Sequence, residues 1–189
     1  MKQSLSRTLL AWSLGALALI MITGSLVTAY GLGRQLLKNE KNQLATQLEL
    51  IRQQIETSNN NLVQSSENIA RLFASSLTSP LQISGTQLFA GGKPLNGNTI
   101  VVDSFTEHSR AVTTVLMRQN TDFIRITTSL KKEDGSRAIG TPLAHDHPAH
   151  AKLSAGESYT GRATLFGREY MTSYLPLKDA SGKVIGAAF

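Results

Sequence analysis

The most constraining feature of the sequence is an uncharged run from Thr8 to Gly33. As an α-helix, its 26 residues would span about 39 Å, enough to cross a hydrocarbon core of about 30 Å with some tilt. A cleaved secretory signal is the alternative, since Lys2 and Arg7 would form its basic end. The apolar region of such a signal is only about 7–15 residues long, and here Trp12 and Tyr30 lie near the ends, where interfacial aromatics belong. We therefore predict an uncleaved membrane helix over residues 8–33.

The charges on either side of this helix do not decide its orientation. Lys2 and Arg7 precede it, whereas Arg34, Lys38 and Lys41 follow it. Since positively charged residues favour the cytoplasmic side, both flanks compete for that side. Charge alone therefore leaves both topologies open.

Residues 34–79 have the pattern of one long helix. They contain no Pro, and Pro80 disfavours helical geometry in the residue before it. The apolar positions follow one heptad seam, which requires a partner helix. They are Leu37, Leu44, Leu48, Ile51, Ile55, Leu62, Ile69 and Leu72. A plain coiled-coil spacer and a signalling stalk both fit this pattern, and both predict a dimer or a bundle.

After Pro80 the apolar positions alternate as they do in strands, and clusters of Gly, Asn, Asp and Ser separate the segments. The predicted strands are 87–90, 99–103, 112–118, 122–130, 159–166, 170–177 and 183–189. Residues 143–155 differ, because His147-Pro148 precedes a short segment with a helical pattern that would cap one side of a sheet. A membrane helix, a long helix and an antiparallel sheet together predict an α+β sensor layout.

Charge, cysteine content and motifs exclude several classes of function. The net charge of +6 comes from 19 Lys and Arg and 13 Asp and Glu scattered along the chain. Because no basic stripe with stacking aromatics is present, we predict no nucleic-acid binding. The absence of Cys excludes disulfide scaffolds and thiolate metal sites. Paired catalytic carboxylates, a nucleophile elbow and a phosphate-binding Gly loop are also missing from the sequence, so we predict no catalytic residues and no enzymatic activity.

Two blocks of sequence carry a specific resemblance. Residues 112–140 read VTTVLMRQNTDFIRITTSLKKEDGSRAIG, and residues 147–176 read HPAHAKLSAGESYTGRATLFGREYMTSYLP. Over roughly residues 34–189, the chain resembles the extracytoplasmic sensor domain of methyl-accepting chemotaxis proteins, of the single Cache type described as a Cache 3/Cache 2 fusion. Departures are small: His150 stands where a Tyr is usual, and His108-Ser109-Arg110 replaces a more common Thr-Gly pair.

The resemblance implies a PAS-like fold, in which a long helix packs across an antiparallel sheet and the ligand pocket lies on the opposite face. It also implies a homodimer in the bacterial inner membrane. Residues 1–7 are then cytoplasmic, 8–33 transmembrane, 34–79 a periplasmic signalling and dimerisation helix, and 80–189 a periplasmic Cache sheet domain cut within its last strand.

The function implied by the resemblance is chemotaxis signalling. The domain would bind a small organic anion, such as a short carboxylate, and would reach cytoplasmic signalling proteins only through a part C-terminal to Phe189. The alternative is the input domain of a membrane sensor histidine kinase or diguanylate cyclase, because sensor folds are shared among outputs.

The predicted strand 123–130 supplies the first ligand-binding candidates. Its side chains alternate between faces, so Ile124 and Ile126 lie on one side while Arg125 and Thr127 lie on the other. The aliphatic side suits the long helix, which leaves Arg125 and Thr127 on the face where the resembling family keeps its pocket. An Arg in mid-strand requires an anion, and its planar guanidinium matches a carboxylate in two-point geometry. An internal ion pair or carbonyl contacts are the alternative.

The second set of candidates comes from the hairpin around Gly167-Arg168, taken as a two-residue turn. The predicted pairs are Leu165 with Tyr170, Ala163 with Thr172 and Gly161 with Tyr174. Small residues opposite hydroxyl-bearing ones leave room for a cavity, so Tyr159, Tyr170 and Thr172 are candidate ligand contacts. Aromatic packing across the strands is the alternative.

The segment His145-Asp146-His147-Pro148-Ala149-His150 places three imidazoles and a carboxylate close together in sequence. A metal ion requires ligands that converge, usually from wider spacing or from separate elements. We therefore predict no metal and no cofactor. His147 is a further candidate ligand contact, with a surface or capping role as the alternative.

Overall fold

The chain forms a long N-terminal helix followed by antiparallel sheets, which confirms the predicted α+β class. The computed structural model describes residues 2–189, with side chains described at all of these except 2–11, 13, 14, 36 and 37. The helices are α1 (Lys2–Ser76), α2 (Thr99–Ser109) and α3 (Pro148–Ser154). The strands are β1 (Leu81–Ser84), β2 (Gln87–Ala90), β3 (Lys93–Pro94), β4 (Thr114–Gln119), β5 (Asp122–Thr128), β6 (Tyr159–Leu165), β7 (Arg168–Lys178) and β8 (Val184–Ala188).

Two compact units divide the chain between Thr57 and Ser58. The first unit is helical, and α1 contains a stretch that is long and apolar enough to cross a membrane by length and composition. Large apolar side chains there are open to the surroundings, since Ile20 and Met21 are each more than two-thirds exposed. Apolar surface of this kind is stable when lipid or another apolar surface covers it.

The second unit contains a five-stranded antiparallel sheet of order β5-β4-β8-β7-β6 and a three-stranded sheet of order β1-β2-β3. One face of the larger sheet carries the helix-side core, where α1 and α2 pack on the strands. This core includes Phe73 of α1, Leu77, Val102 of α2, and Val115, Met117 and Ile126 of the sheet. The other face carries the outer core, where α3 packs on the strands. This core includes Ala149 and Leu153 of α3, Leu116, Phe123 and Tyr174 of the sheet, and Leu143 and Phe189. Neighbours such as Val115 and Leu116 enter different cores because successive side chains of a strand point to opposite faces.

Helix α1 ends at Ser76, whereas the prediction extended it to Ser79. The next residue, Leu77, is buried in the helix-side core. The chain therefore turns inward before Pro80 can act as the stop.

The predicted strand at 99–103 is wrong, because this segment forms the first turns of α2. Its β-branched residues favour a strand locally. As a helix, however, the segment buries Val102 completely and brings Phe105 to 5.0 Å from Phe73 between ring centroids. Packing against α1 therefore outweighs the local preference.

The predicted register of the β6–β7 hairpin is also wrong. The turn residues are Phe166 and Gly167, whose φ angles of 48° and 75° both lie in the left-handed region. Two such residues match the twist of a tight hairpin. The observed pairs are Leu165 with Arg168, Ala163 with Tyr170, Gly161 with Thr172 and Tyr159 with Tyr174. The observed register differs from the predicted one by two residues along β7. Because side chains alternate with a period of two, each side chain still lies on the predicted face.

Candidate functional site

A bulge in β5 separates the two candidates predicted on that strand. Val115 pairs with Thr127, but Leu116 pairs with Arg125, so Ile126 has no partner in the ladder. Arg125 therefore shares the outer-core face with Leu116. Thr127 shares the helix-side face with Val115, and its hydroxyl donates to the carbonyl of Asn98 at 2.9 Å. The predicted position of Thr127 on the pocket face is wrong, because the inserted residue reverses the alternation beyond it.

Arg125 is a buried cation on the outer-core face, with only 5% of its surface exposed. Its Nη1 donates to Thr141 Oγ1 at 3.1 Å and to the Pro142 carbonyl at 2.8 Å. The bond to Pro142, together with a longer one to the Thr141 carbonyl at 3.4 Å, is of the carbonyl kind that the alternative interpretation expected. Within the described residues, no Asp or Glu lies at ion-pair distance from Arg125, and Nε and Nη2 make no hydrogen bond. Burial lowers the pKa of Arg125, and the charge remains without an anionic partner.

Tyr174 lies beside this guanidinium in the outer core. It is 1% exposed, and its hydroxyl makes no hydrogen bond. The Arg125 guanidinium is near enough to favour ionisation of the phenol, but the two groups do not meet hydrogen-bond geometry. Burial dominates and raises the pKa of Tyr174 to about 12. Tyr174 is therefore a neutral phenol with an unused polar hydrogen.

His147 approaches the same position from the start of α3. Its Nδ1 accepts a hydrogen bond from the Ala149 N–H at 3.1 Å, so it caps the helix, with Pro148 in the first turn. Burial lowers the pKa of His147, and the positive charge of Arg125 lowers it further. Because Nδ1 is the acceptor, the neutral ring carries its proton on Nε2. The ring centroid is 5.4 Å from that of Tyr174.

Tyr159, the first residue of β6, completes the group. It pairs with Tyr174 across the ladder, and its ring centroid lies 5.7 Å from that of His147 in an edge-on arrangement. Its hydroxyl lies where a Cβ on Gly161 would stand. Only a glycine at position 161 leaves this space for the phenol. We call Arg125, His147, Tyr159 and Tyr174 the polar cluster.

Two other candidates lie elsewhere on the hairpin. Tyr170 is half-buried and borders a groove of about 360 Å³ together with Leu62 and Met171. Thr172 is buried, and its hydroxyl donates to the Gly161 carbonyl at 2.7 Å. The hydrogen of Thr172 is therefore already used within the hairpin.

Tyr174 is the member of the cluster that the sequence-based prediction missed. The predicted turn placed Gly161 opposite Tyr174, whereas Tyr159 is the actual partner. A signal was present, because a glycine as the second of two turn residues favours this kind of turn. A two-residue turn at Phe166-Gly167 would have predicted the pairing of Tyr159 with Tyr174.

Comparison with known families supports the same fold. The sequence profile of the Cache 3/Cache 2 fusion domain matches residues 32–189. The chain belongs to this family. Cache domains are extracytoplasmic domains that sense small molecules, so this Cache domain has that general role. No curated protein shows significant similarity to the chain.

Proposed function

We propose that this Cache domain is the periplasmic sensor of a bacterial chemoreceptor and that the polar cluster binds a short carboxylate. The observation that carries the ligand proposal is Arg125, a buried cation without an acidic partner in the described part of the chain. A buried charge is unfavourable until an opposite charge and hydrogen bonds satisfy it. A ligand carboxylate supplies both.

The chemistry of the other cluster members supports an anion over a cation. Tyr174 and Tyr159 can donate from their hydroxyls, and neutral His147 can donate from Nε2. The cluster therefore offers donors around one positive charge, and none of its members carries a negative charge. Because the sequence carries no recognised catalytic motif, we expect binding without catalysis.

The receptor class and the assembly are further parts of the proposal. Similarity of the blocks at 112–140 and 147–176 to chemotaxis receptors favours that output over a kinase or a cyclase. Residues 8–33 would anchor the protein in the inner membrane with residues 1–7 in the cytoplasm. The heptad seam of residues 34–79 would pair two copies. Ligand binding would then shift the equilibrium between two arrangements of the paired helices, by the difference between its affinities for them.

The ligand proposal is tested by thermal unfolding of the whole chain in detergent micelles. Acetate, pyruvate, succinate and malate are added singly, and succinamide serves as an uncharged analogue of succinate. A ligand at one hundred times its Kd stabilises the folded state by about 2.7 kcal/mol, which raises Tm by roughly 10 °C for a domain of this size. We expect one or more carboxylates to raise Tm and succinamide to have no effect.

Variants of Arg125 decide whether it is the anchor. Arg125→Ala and the more space-filling Arg125→Met should both remove the shift in Tm. Arg168→Ala is the matched control, because Arg168 is an exposed arginine in the hairpin. Undiminished stabilisation of either folded Arg125 variant would exclude Arg125 as the anchor, and equal stabilisation by succinamide would exclude the charge as the basis of recognition.

A further inference from the structure

Two histidines and an aspartate meet at the start of β5. Asp122 is the first residue of that strand, and the segment containing Leu143 runs beside it, since the Leu143 N–H donates to the Phe123 carbonyl at 2.8 Å. Continuing this path brings His145 next to Asp122. Their Nε2 and Oδ1 atoms are 2.6 Å apart.

Two successive turns then fold His150 back toward the same point. The His147 N–H donates to the Ala144 carbonyl at 3.1 Å, and the His150 N–H donates to the His147 carbonyl at 2.9 Å. The ring centroids of His145 and His150 are consequently 4.3 Å apart. One ligating atom from each of Asp122, His145 and His150 lies within 4.8 Å of the others.

His150 adds an observation that is independent of this geometry. The residue is only 9% exposed, and its Nε2 is buried without a hydrogen-bond partner among the described residues. Its ring packs edge-on against Phe123, with centroids 5.6 Å apart. Buried polar atoms are rarely left without a partner, and an absent ion is one of the recognised explanations.

We propose that Asp122, His145 and His150 bind a divalent transition-metal ion of the Zn²⁺ class. Imidazole nitrogen and carboxylate oxygen are ordinary zinc ligands, with bonds of about 2.0–2.2 Å. Tetrahedral geometry places such atoms about 3.3 Å apart, so separations of up to 4.8 Å close by at most about 1.5 Å, and the 2.6 Å between His145 Nε2 and Asp122 Oδ1 opens by about 0.7 Å. The His145 side chain is 63% exposed and free to make that movement. Water fills the fourth position on the open side of the site.

Binding replaces the hydrogen bond between His145 and Asp122 by two metal–ligand bonds. His145 Nε2 gives up its proton to solvent, because a metal-bound imidazole nitrogen must be unprotonated, and the neutral ring keeps one proton on Nδ1. His147 does not take part, since its Nδ1 caps α3 and its ring lies against Tyr159. In this proposal the carboxylate comes from Asp122, on a separate element, and not from Asp146, which is adjacent in sequence to the histidines.

The proposal is tested by isothermal titration of the whole chain with ZnCl₂. The protein is purified in detergent without a polyhistidine tag and stripped of metal with a chelator. We expect saturation at one Zn²⁺ per chain, and His145→Ala and Asp122→Asn should each weaken binding by at least about tenfold. Both side chains are substantially exposed, so neither change disturbs the core.

His108→Ala is the matched control, because His108 is an exposed histidine in α2 and the remaining histidine outside the segment 145–150. It should bind Zn²⁺ as the wild type does. Co²⁺ provides a second readout, since tetrahedral coordination gives visible absorption bands that His145→Ala should lose. Unsaturable binding by the wild type, unchanged affinity in His145→Ala, or equal loss in His108→Ala would overturn the proposal.

Discussion

Replacing Tyr174 by Phe should stabilise the ligand-free protein. The change removes a buried hydroxyl that makes no hydrogen bond and keeps the ring, whose centroid lies 4.9 Å from that of Phe189. A buried polar group without a partner costs about 1–3 kcal/mol. The nearby Arg125 guanidinium offsets part of that cost, so we expect a net gain of about 1 kcal/mol, or roughly 3 °C in Tm.

The difference in unfolding free energy between Tyr174→Phe and the wild type should increase at alkaline pH. The pKa of Tyr174 is raised by burial from 10.0 to about 12 in the folded protein. As the pH rises, Tyr174 therefore ionises first in the unfolded state. The free energy of unfolding of the wild type keeps its full value with respect to this group below pH 10 and falls progressively up to pH 12. At 1.36 kcal/mol per pKa unit, the wild type should lose about 1.3 kcal/mol relative to Tyr174→Phe between pH 9 and pH 11.

Denaturant unfolding of wild type and variant at pH 8, 9, 10 and 11 measures both effects, because taking the difference between the two proteins cancels the titration of other groups. A variant less stable than the wild type at pH 8 would show that the hydroxyl has a partner. A difference that stays constant from pH 9 to pH 11 would refute the raised pKa. If the polar cluster binds a carboxylate, the same variant should also bind it about tenfold more weakly, having lost one donor.

Two further substitutions test the supports of the fold and the site. Gly161→Ala should displace the Tyr159 phenol and weaken carboxylate binding. The loss in unfolding free energy should be only about 1 kcal/mol, because the Tyr159 side chain can move away from the new methyl group. Unchanged carboxylate affinity in a ligand titration would show that Tyr159 is not a contact. Arg137→Lys should cost about 1 kcal/mol in denaturant unfolding, because Lys cannot reproduce the two 2.8 Å hydrogen bonds from Arg137 to Asp103. In an Asp103→Ala background, Arg137→Lys should no longer lower the free energy of unfolding. If it still does, the effect belongs to the hydrogen bond from Arg137 to the Thr128 carbonyl.

The parts of the fold that were predictable depend on short-range patterns. The long helix followed from the heptad seam, and most strands followed from alternation between turn residues. The helix at Thr99–Ser109 was not predictable in this way, because its formation depends on the burial of Val102 against residues distant in sequence. Local preference and tertiary packing disagree there, and packing decides.

The candidate site was predictable only in part for the same reason. Arg125 was found because an arginine between isoleucines is unusual on any strand. Thr127 was misplaced because a bulge depends on the partner strand, and nothing in β5 alone marks the unpaired Ile126. The site formed by Asp122, His145 and His150 joins residues from separate elements, so its members become neighbours only in the folded chain.

The unsatisfied atoms of the protein connect the two sites. Among the described residues, two buried side-chain polar atoms lack a hydrogen bond, His150 Nε2 and the Tyr174 hydroxyl. Folded proteins satisfy nearly all such atoms, so each of the two calls for an explanation. Both lie on the outer-core face: the His150 ring packs against Phe123 at the proposed metal site, and the Tyr174 ring packs against His147 in the polar cluster. Each costs about 1–3 kcal/mol that a bound partner would remove, which supports the proposals that place ligand and metal on this face and not in the helix-side core.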